Sequence, residues 1–167
     1  NGIAIYPSGD FQRFINKSPL PKYNLGFSLN YRIQNWDASA FFAGQFGHYV
    51  YNNTANAYFT AGSLANGRNV TTDVPTSGES SVNAPEVSTR FLEKADFLRM
   101  QNLNIGYNFK MSDGSFLKKL RVSATGQNLF LITDYSGLDP EVNTNKSLND
   151  VPSLGIDYGA YPRARTF

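Results

Sequence analysis

Chemistry in this chain would have to start from a short list of side chains. His48 is the only histidine and cysteine is absent, so no histidine cluster, thiolate set or disulfide framework is available. His48 sits near the end of a stretch that alternates apolar and polar residues, where a structural place at a rim is expected rather than a general base. Serine, histidine and aspartate are all present, but no G-x-S-x-G or similar context assembles them into a nucleophile. The expectation is that the chain is not an enzyme and carries no cofactor.

Asp134, Asp139, Glu141, Asp150 and Asp157 fall in one loop-like stretch. Carboxylates with loop carbonyls suit calcium, and Asp134, Asp139 and Glu141 are the candidate ion ligands. Their spacing is not that of an EF-hand, and the competing expectation is a solvated loop held by turn and side-chain hydrogen bonds. Tyr49, Tyr51, Tyr58 and Phe59 gather where a strand gives way to a loop. Their faces suit stacking on sugar rings or apolar peptide side chains; a rim girdle with internal loop packing is the plainer alternative. Triplets such as Asn69-Val70-Thr71 are expected by chance in so Asn- and Thr-rich a segment.

The elements that must position these residues are strands. From Lys22 to Ile33 the alternation is strict: Tyr23, Leu25, Phe27, Leu29, Tyr31 and Ile33 against Lys22, Asn24, Gly26, Ser28, Asn30 and Arg32. Period two means one apolar and one polar face. The run matches the roughly 9 to 11 residues with which a tilted strand crosses a bilayer, about twice a typical soluble strand. Strands are predicted over about 21–33, 36–50, 96–109, 120–130 and 163–167. Phe41 falls in the polar phase of the second strand and is expected to point inward. In the third, Leu98 and Met100 are out of phase with Leu103, Ile105, Tyr107 and Phe109, which predicts a bulge or the membrane rim near Arg99–Gln101.

Connections alternate short and long: tight at 34–35 and 110–119, long at about 51–95 and 131–162. Local structure is expected around Ser88–Lys94. Short periplasmic turns and long extracellular loops are the habit of outer-membrane barrels. That orientation gathers Tyr31, Ile33, Trp36, Tyr107 and Phe109 at the periplasmic end of the apolar face, as an aromatic girdle. Asn24, Ser28, Asn30, Gln45, Asn102, Asn104, Asn108, Thr125 and Gln127 make a neutral hydrogen-bonding wall on the other face.

Composition agrees. The chain of 167 residues has 13 Phe, 10 Tyr and only 17% charged residues, against about 25% in soluble domains. A net charge of +2, with no basic block interleaved with aromatics, gives no reason to expect nucleic acid. No run approaches the roughly 18 apolar residues of a membrane helix. The chain opens Asn1-Gly2 with no signal peptide, as expected of a processed chain or an internal piece of a longer one. Four strands and a stub cannot close a barrel, since open edges in lipid leave backbone groups unpaired. The rest of the wall is expected from a longer parent chain, or from an oligomeric barrel.

Several stretches resemble one family. Asp96 to Phe109 (DFLRMQNLNIGYNF) is similar to the DFLR…N…LGY.F strand of the SusC/RagA family of TonB-linked outer-membrane proteins. Thr125 to Phe130 (TGQNLF), Thr133 to Val142 (TDYSGLDPEV) and Asp157 to Phe167 (DYGAYPRARTF) resemble later family segments in the family's order, and Pro21-Lys22-Tyr23 with Gly26-Phe27 an earlier one. The likeness spans about Pro21 to Phe167. It departs at the end, where the family's last strand would continue past Phe167 to a C-terminal aromatic; the family's N-terminal plug and TonB-contacting segment are not in this chain.

The resemblance implies an all-β fold: an antiparallel transmembrane β-barrel segment of about four strands and the start of a fifth, from a barrel of about 22 strands with a plugged lumen. It implies residues 1–167 as a C-terminal part of one barrel domain in a Gram-negative outer membrane, contacting lipid. It implies import of oligosaccharide or peptide cargo, energised by TonB through the missing N-terminal part and assisted by a SusD-like surface lipoprotein. Two other readings stay open on the residues alone: a soluble all-β carbohydrate-binding module, and a passive porin-like barrel. A soluble sandwich must bury the Tyr23–Ile33 face against a second sheet; a barrel leaves it to lipid.

Overall fold

A computed structural model of the chain describes residues 14–82, 87–114, 116–142 and 154–167. The chain divides into two compact units. One, here the sheet unit, comprises Pro21–Gly47, Ala95–Asp134 and Pro162–Phe167; the other, the loop unit, comprises Asn1–Leu20, His48–Lys94 and Tyr135–Tyr161.

The sheet unit is a four-stranded antiparallel sheet in the order β1 (Tyr23–Ile33), β2 (Trp36–Phe46), β5 (Phe97–Phe109), β6 (Leu120–Thr133). β1 and β2 pair along all 11 residues of each, from Tyr23 opposite Phe46 to Ile33 opposite Trp36. Register puts apolar residues in rows across the sheet: Ile33, Trp36, Tyr107, Val122; Leu29, Ala40, Leu103, Gly126; Phe27, Phe42, Met100, Phe130. Rings in these rows touch. Phe27 stacks on Phe42 at 4.6 Å between centroids, and Trp36 meets Tyr107 edge-on at 4.8 Å. Every residue of β1 is exposed, Leu29 by 58%. No second sheet covers this face among the described residues, unlike the core of a soluble sandwich.

The phase change in β5 is a bulge. Gln101 has no partner in the ladder: Phe41 pairs with Asn102, but Phe42 pairs with Met100. On the other edge Asn102 pairs with Gln127 and Met100 with Phe130, so Asn128 and Leu129 face the same irregularity. Asn128 takes φ 53°, a left-handed conformation that Asn tolerates better than most residues. The extra residue returns Leu98 and Met100 to the apolar face, and turns Phe97 and Arg99 onto the face of Asn102 and Asn104. Phe41 lies on that polar face, its ring over Gly26.

The second strand differs from the 36–50 expected. It ends at Phe46, because Gly47 takes φ 82° and donates its N–H to Asp96 Oδ1 at 2.6 Å. The chain then begins β3 (Tyr49–Asn52), in another sheet. β6 runs on to Thr133 rather than ending at 130. Over 163–167 there is no continuous strand, only a bridge between Thr166 and Gln127 and a hydrogen bond from Asn128 Nδ2 to Ala164 O at 3.0 Å.

Within 51–95 the loop unit has the local structure expected around Ser88–Lys94 and further elements before it. β3 pairs antiparallel with β4 (Leu92–Lys94) and parallel with β7 (Ile156–Asp157). Two short helices follow β3: α1 (Asn53–Tyr58) and α2 (Ala61–Ala65). Asn52 starts α1 by accepting the Ala55 N–H at 2.9 Å, as N-cap residues do. Glu79 receives the Ala61 N–H at the start of α2 and pairs with Arg90 at 2.7 Å. Val50, Ala55, Ala61 and Val74 are buried in this unit. Small alanines let so short a chain pack closely. Single-turn 3-10 helices occupy Val74–Thr76 and Thr89–Phe91.

Candidate functional site

The loop unit holds a cleft of about 480 Å³, a size usual for small-ligand sites. Its polar floor is built by cross-chain hydrogen bonds. Asn52 caps α1 with its oxygen, and its Nδ2 donates to Glu93 Oε1 at 3.1 Å and Ser136 Oγ at 3.2 Å. Glu93 also accepts from Ser136 N at 2.8 Å and Ser136 Oγ at 2.7 Å. Asp157, only 1% exposed, accepts the Tyr135 hydroxyl at 2.8 Å and the Ala160 N–H at 3.2 Å. Burial, and then the Asp157 carboxylate beside it, push the Tyr135 hydroxyl well above the usual tyrosine range. It therefore stays a proton donor at any physiological pH.

The rest of the cleft is drawn from distant stretches: Phe59 after α1, Thr71 and Asp73, Arg90 and Phe91, and Leu138. The Thr71 hydroxyl beside Asp73 holds its carboxyl below the usual range. The Arg90 guanidinium lies 4.8 Å from the centre of the Phe91 ring while it pairs with Glu79.

Of the four aromatic candidates, the fold brings Phe59 to this cleft; Tyr49, Tyr51 and Tyr58 are not among its lining. Tyr49 receives Lys17, whose Nζ donates to its hydroxyl at 3.2 Å. Tyr51 is half-buried, and burial pushes its hydroxyl up. Tyr58 is exposed and hydrogen-bonds Tyr158, whose hydroxyl is pushed up by that contact. The sequence did not single out Phe91, Arg90, Asp73 or Leu138; Arg90 and Phe91 fall within the stretch around Ser88–Lys94 where local structure was expected.

The acidic candidates are dispersed in role. Asp134 follows β6 in the sheet unit. Asp139 is buried, and its Oδ1 accepts the Glu141 N–H at 2.9 Å as an Asx turn. Asp150 lies outside the described residues. Among the described residues, no three His, Cys, Asp or Glu side chains form a group able to hold a metal. His48 is buried.

On the sheet unit's polar face, Arg121 of β6 reaches Asp37 of β2 across β5. Its Nε donates to Asp37 Oδ1 at 3.1 Å, and Nη2 bonds both Asp37 Oδ2 and Asn104 Oδ1. Asn108 Nδ2 donates to Asp37 at 2.8 Å, and Asn104 Nδ2 to Thr125 at 2.6 Å. These residues make a cross-strand network on the face opposite the apolar rows.

No family model matches the chain. It is 32% identical over 167 residues to the TonB-dependent receptor P3 of Formosa agariphila, covering 93% of this chain, and 34% identical over 176 residues to the TonB-dependent receptor SusC of Bacteroides thetaiotaomicron, covering all of it. The chain belongs to the SusC/RagA family of TonB-dependent receptors. It spans 16% of the length of each of those two relatives. Among solved structures, the RagAB peptide importer in its closed–closed state superposes with a TM-score of 0.75 over 96% of this chain and 18% of that one, at 24% identity. In this SusC/RagA segment the long antiparallel strands are therefore part of a large TonB-dependent barrel. Its apolar rows and its Asn- and Ser-rich face lie on opposite sides of the sheet.

Proposed function

We propose that the protein carrying this chain imports nutrients across the outer membrane of a Gram-negative bacterium, energised through TonB, and that this chain is a C-terminal portion of its barrel wall. The cargo is an oligosaccharide or a peptide, and a SusD-like surface lipoprotein is the capture partner. By this reading the loop unit, with its cleft, lies at the cell surface; the tight turn at Gln34-Asn35 lies in the periplasm. The chain is a transporter part and not a catalyst.

One observation carries the reading: strands of 11 residues whose apolar side is covered by no second sheet among the described residues, while the reverse side is a hydrogen-bonded polar wall. Lipid stabilises the first face, and a watery or plugged lumen suits the second. The relatives named TonB-dependent receptors support the energy source. The test is a gene deletion. Growth on the cognate oligosaccharide or peptide as sole nutrient should be lost, and lost equally when TonB is removed. An affinity-tagged receptor should carry a lipoprotein through detergent purification. Unchanged growth in both deletions on every cargo of either class would sink the reading.

A further inference from the structure

Resting on that import reading, in which the apolar rows meet lipid, we propose that the connection between β5 and β6 is a docking site for anionic phospholipid, with Lys110, Lys118 and Lys119 at the headgroup phosphate and Phe116 and Leu117 against the acyl chains below it.

The connection leaves β5 at Phe109 and enters β6 at Leu120, which pair across the sheet. Its described residues carry three lysines against one aspartate, Asp113, and all four are exposed. None of the three lysines forms an ion pair among the described residues. Lys118 instead spans the turn, its Nζ donating to the backbone carbonyl of Asp113 at 3.1 Å. An ammonium has three donors, so that bond leaves two for phosphate oxygens. The neighbouring Gln34-Asn35 turn, whose Asn35 carbonyl accepts the Asn108 N–H at 2.8 Å, is uncharged. Arg32 and Arg121, at the same end, belong to the polar face, where Arg121 pairs with Asp37.

The same connection carries bare apolar surface. Phe116 is 99% exposed and Leu117 51%. A phenyl ring that the fold leaves in water gains by entering an apolar layer. Beside it the apolar face ends in Trp36, Tyr107, Phe109 and Leu120, and the three rings meet edge-on at 4.8 Å between successive centroids. Lys118 is in phase with Leu120 and Val122. A lysine so placed lays its stem along apolar surface and carries its charge to the polar layer. Rings at the interface with unpaired lysines just beyond them fit a lipid whose phosphate needs a counter-charge. A zwitterionic headgroup brings its own ammonium to that phosphate; an anionic one does not, and is the headgroup these lysines favour.

The intact receptor is placed in nanodiscs of phosphatidylglycerol and phosphatidylcholine, with a photoreactive group on the headgroup of one or the other, and labelled peptides are mapped by mass spectrometry. Labelling of 109–120 by phosphatidylglycerol should exceed that by phosphatidylcholine about tenfold, and should fall about tenfold in the triple variant K110Q/K118Q/K119Q, since each lysine near an anionic surface contributes several-fold. The variant K110R/K118R/K119R should restore it. Phe116→Ser, whose exposed ring leaves no hole in the fold, should lower it too. Equal labelling by both headgroups, wild-type labelling in the glutamine variant, or labelling by a lipid A probe in place of phosphatidylglycerol would overturn the proposal. A lipid with the photoreactive group in its tail separates this site from the reading beneath it. Where that lipid marks the Tyr23–Ile33 face but headgroup selectivity is absent, the docking site falls and the barrel wall stands. Where it fails to mark that face, the membrane reading itself falls.

Discussion

Arg121 holds the carboxylate of Asp37 from two strands away, lying over Gly106 on the strand between them. Asp37 is opposite Gly106, and Arg121 is opposite Asn108. A Cβ at position 106 would sit 2.3 Å from Arg121 Nη2. Only a residue without a side chain lets the guanidinium cross β5 close to the sheet. Replacing Gly106 by Val should therefore act through the ion pair. In the intact receptor, Gly106→Val and Arg121→Ala should each lower the temperature at which the barrel unfolds in a heat-modifiability gel. The double variant should fall no further than the worse single one, because the two changes break the same contact. Additive losses would mean that Gly106 matters for another reason.

The two faces of β1 predict opposite responses to charge. Leu29→Arg places a guanidinium among the apolar rows, where the penalty near the bilayer midplane is about 2–4 kcal/mol, and folded receptor in the outer membrane should drop sharply. Asn30→Arg, one residue on and facing the other way, should be assembled near wild-type levels. Quantitative blotting of outer-membrane fractions reads both; equal tolerance would argue that the Leu29 face does not meet lipid.

At the bulge, Asn128 combines φ 53° with the hydrogen bond to Ala164. Asn128→Gly keeps the conformation and loses only the hydrogen bond. Asn128→Val loses both, and a branched side chain in the left-handed region adds about 1–2 kcal/mol. Val should thus destabilise more than Gly in the same unfolding assay; equal losses would show that the hydrogen bond alone matters.

The Tyr135–Asp157 contact gives a pH dependence. The folded state raises the tyrosine's affinity for its proton, so the stability it adds is complete below the unfolded value of about 10 and declines as pH climbs above it toward the higher folded value. Hydrogen exchange of the loop unit, measured by mass spectrometry, should accelerate above about pH 10 in the wild type. Tyr135→Phe should lose that alkaline component. It should also lower local stability at neutral pH by about 1–3 kcal/mol, since the buried carboxylate of Asp157 keeps one donor fewer.

Asn52 joins helix capping to the cleft floor. Asn52→Ala should cost about 1 kcal/mol through the cap alone and release Glu93 and Ser136. Exchange should rise at 53–58 and, through the lost hydrogen bonds, at 93 and 136 together; protection lost at 53–58 only would separate cap from floor.

Strand identity and facing were legible in the sequence because the side-chain period of a strand is two and purely local. Tyr23 to Ile33 announce one apolar side with no knowledge of their neighbours, and the phase jump between Met100 and Leu103 announces an irregularity. Which residues bear that irregularity was decided by pairing: Gln101 drops out of the ladder only because Phe42 and Phe130 claim Met100 while Phe41 and Gln127 claim Asn102. Tertiary structure likewise decided the cleft. Phe59, Phe91 and Leu138 come from three separated stretches, and no periodicity links them. The reach of Arg121 over Gly106 to Asp37 spans three strands whose order the alternation does not encode. Patterning along a chain reports on solvent, lipid and lumen; contact across a chain depends on register and on loop closure, which are set only when the strands are laid side by side.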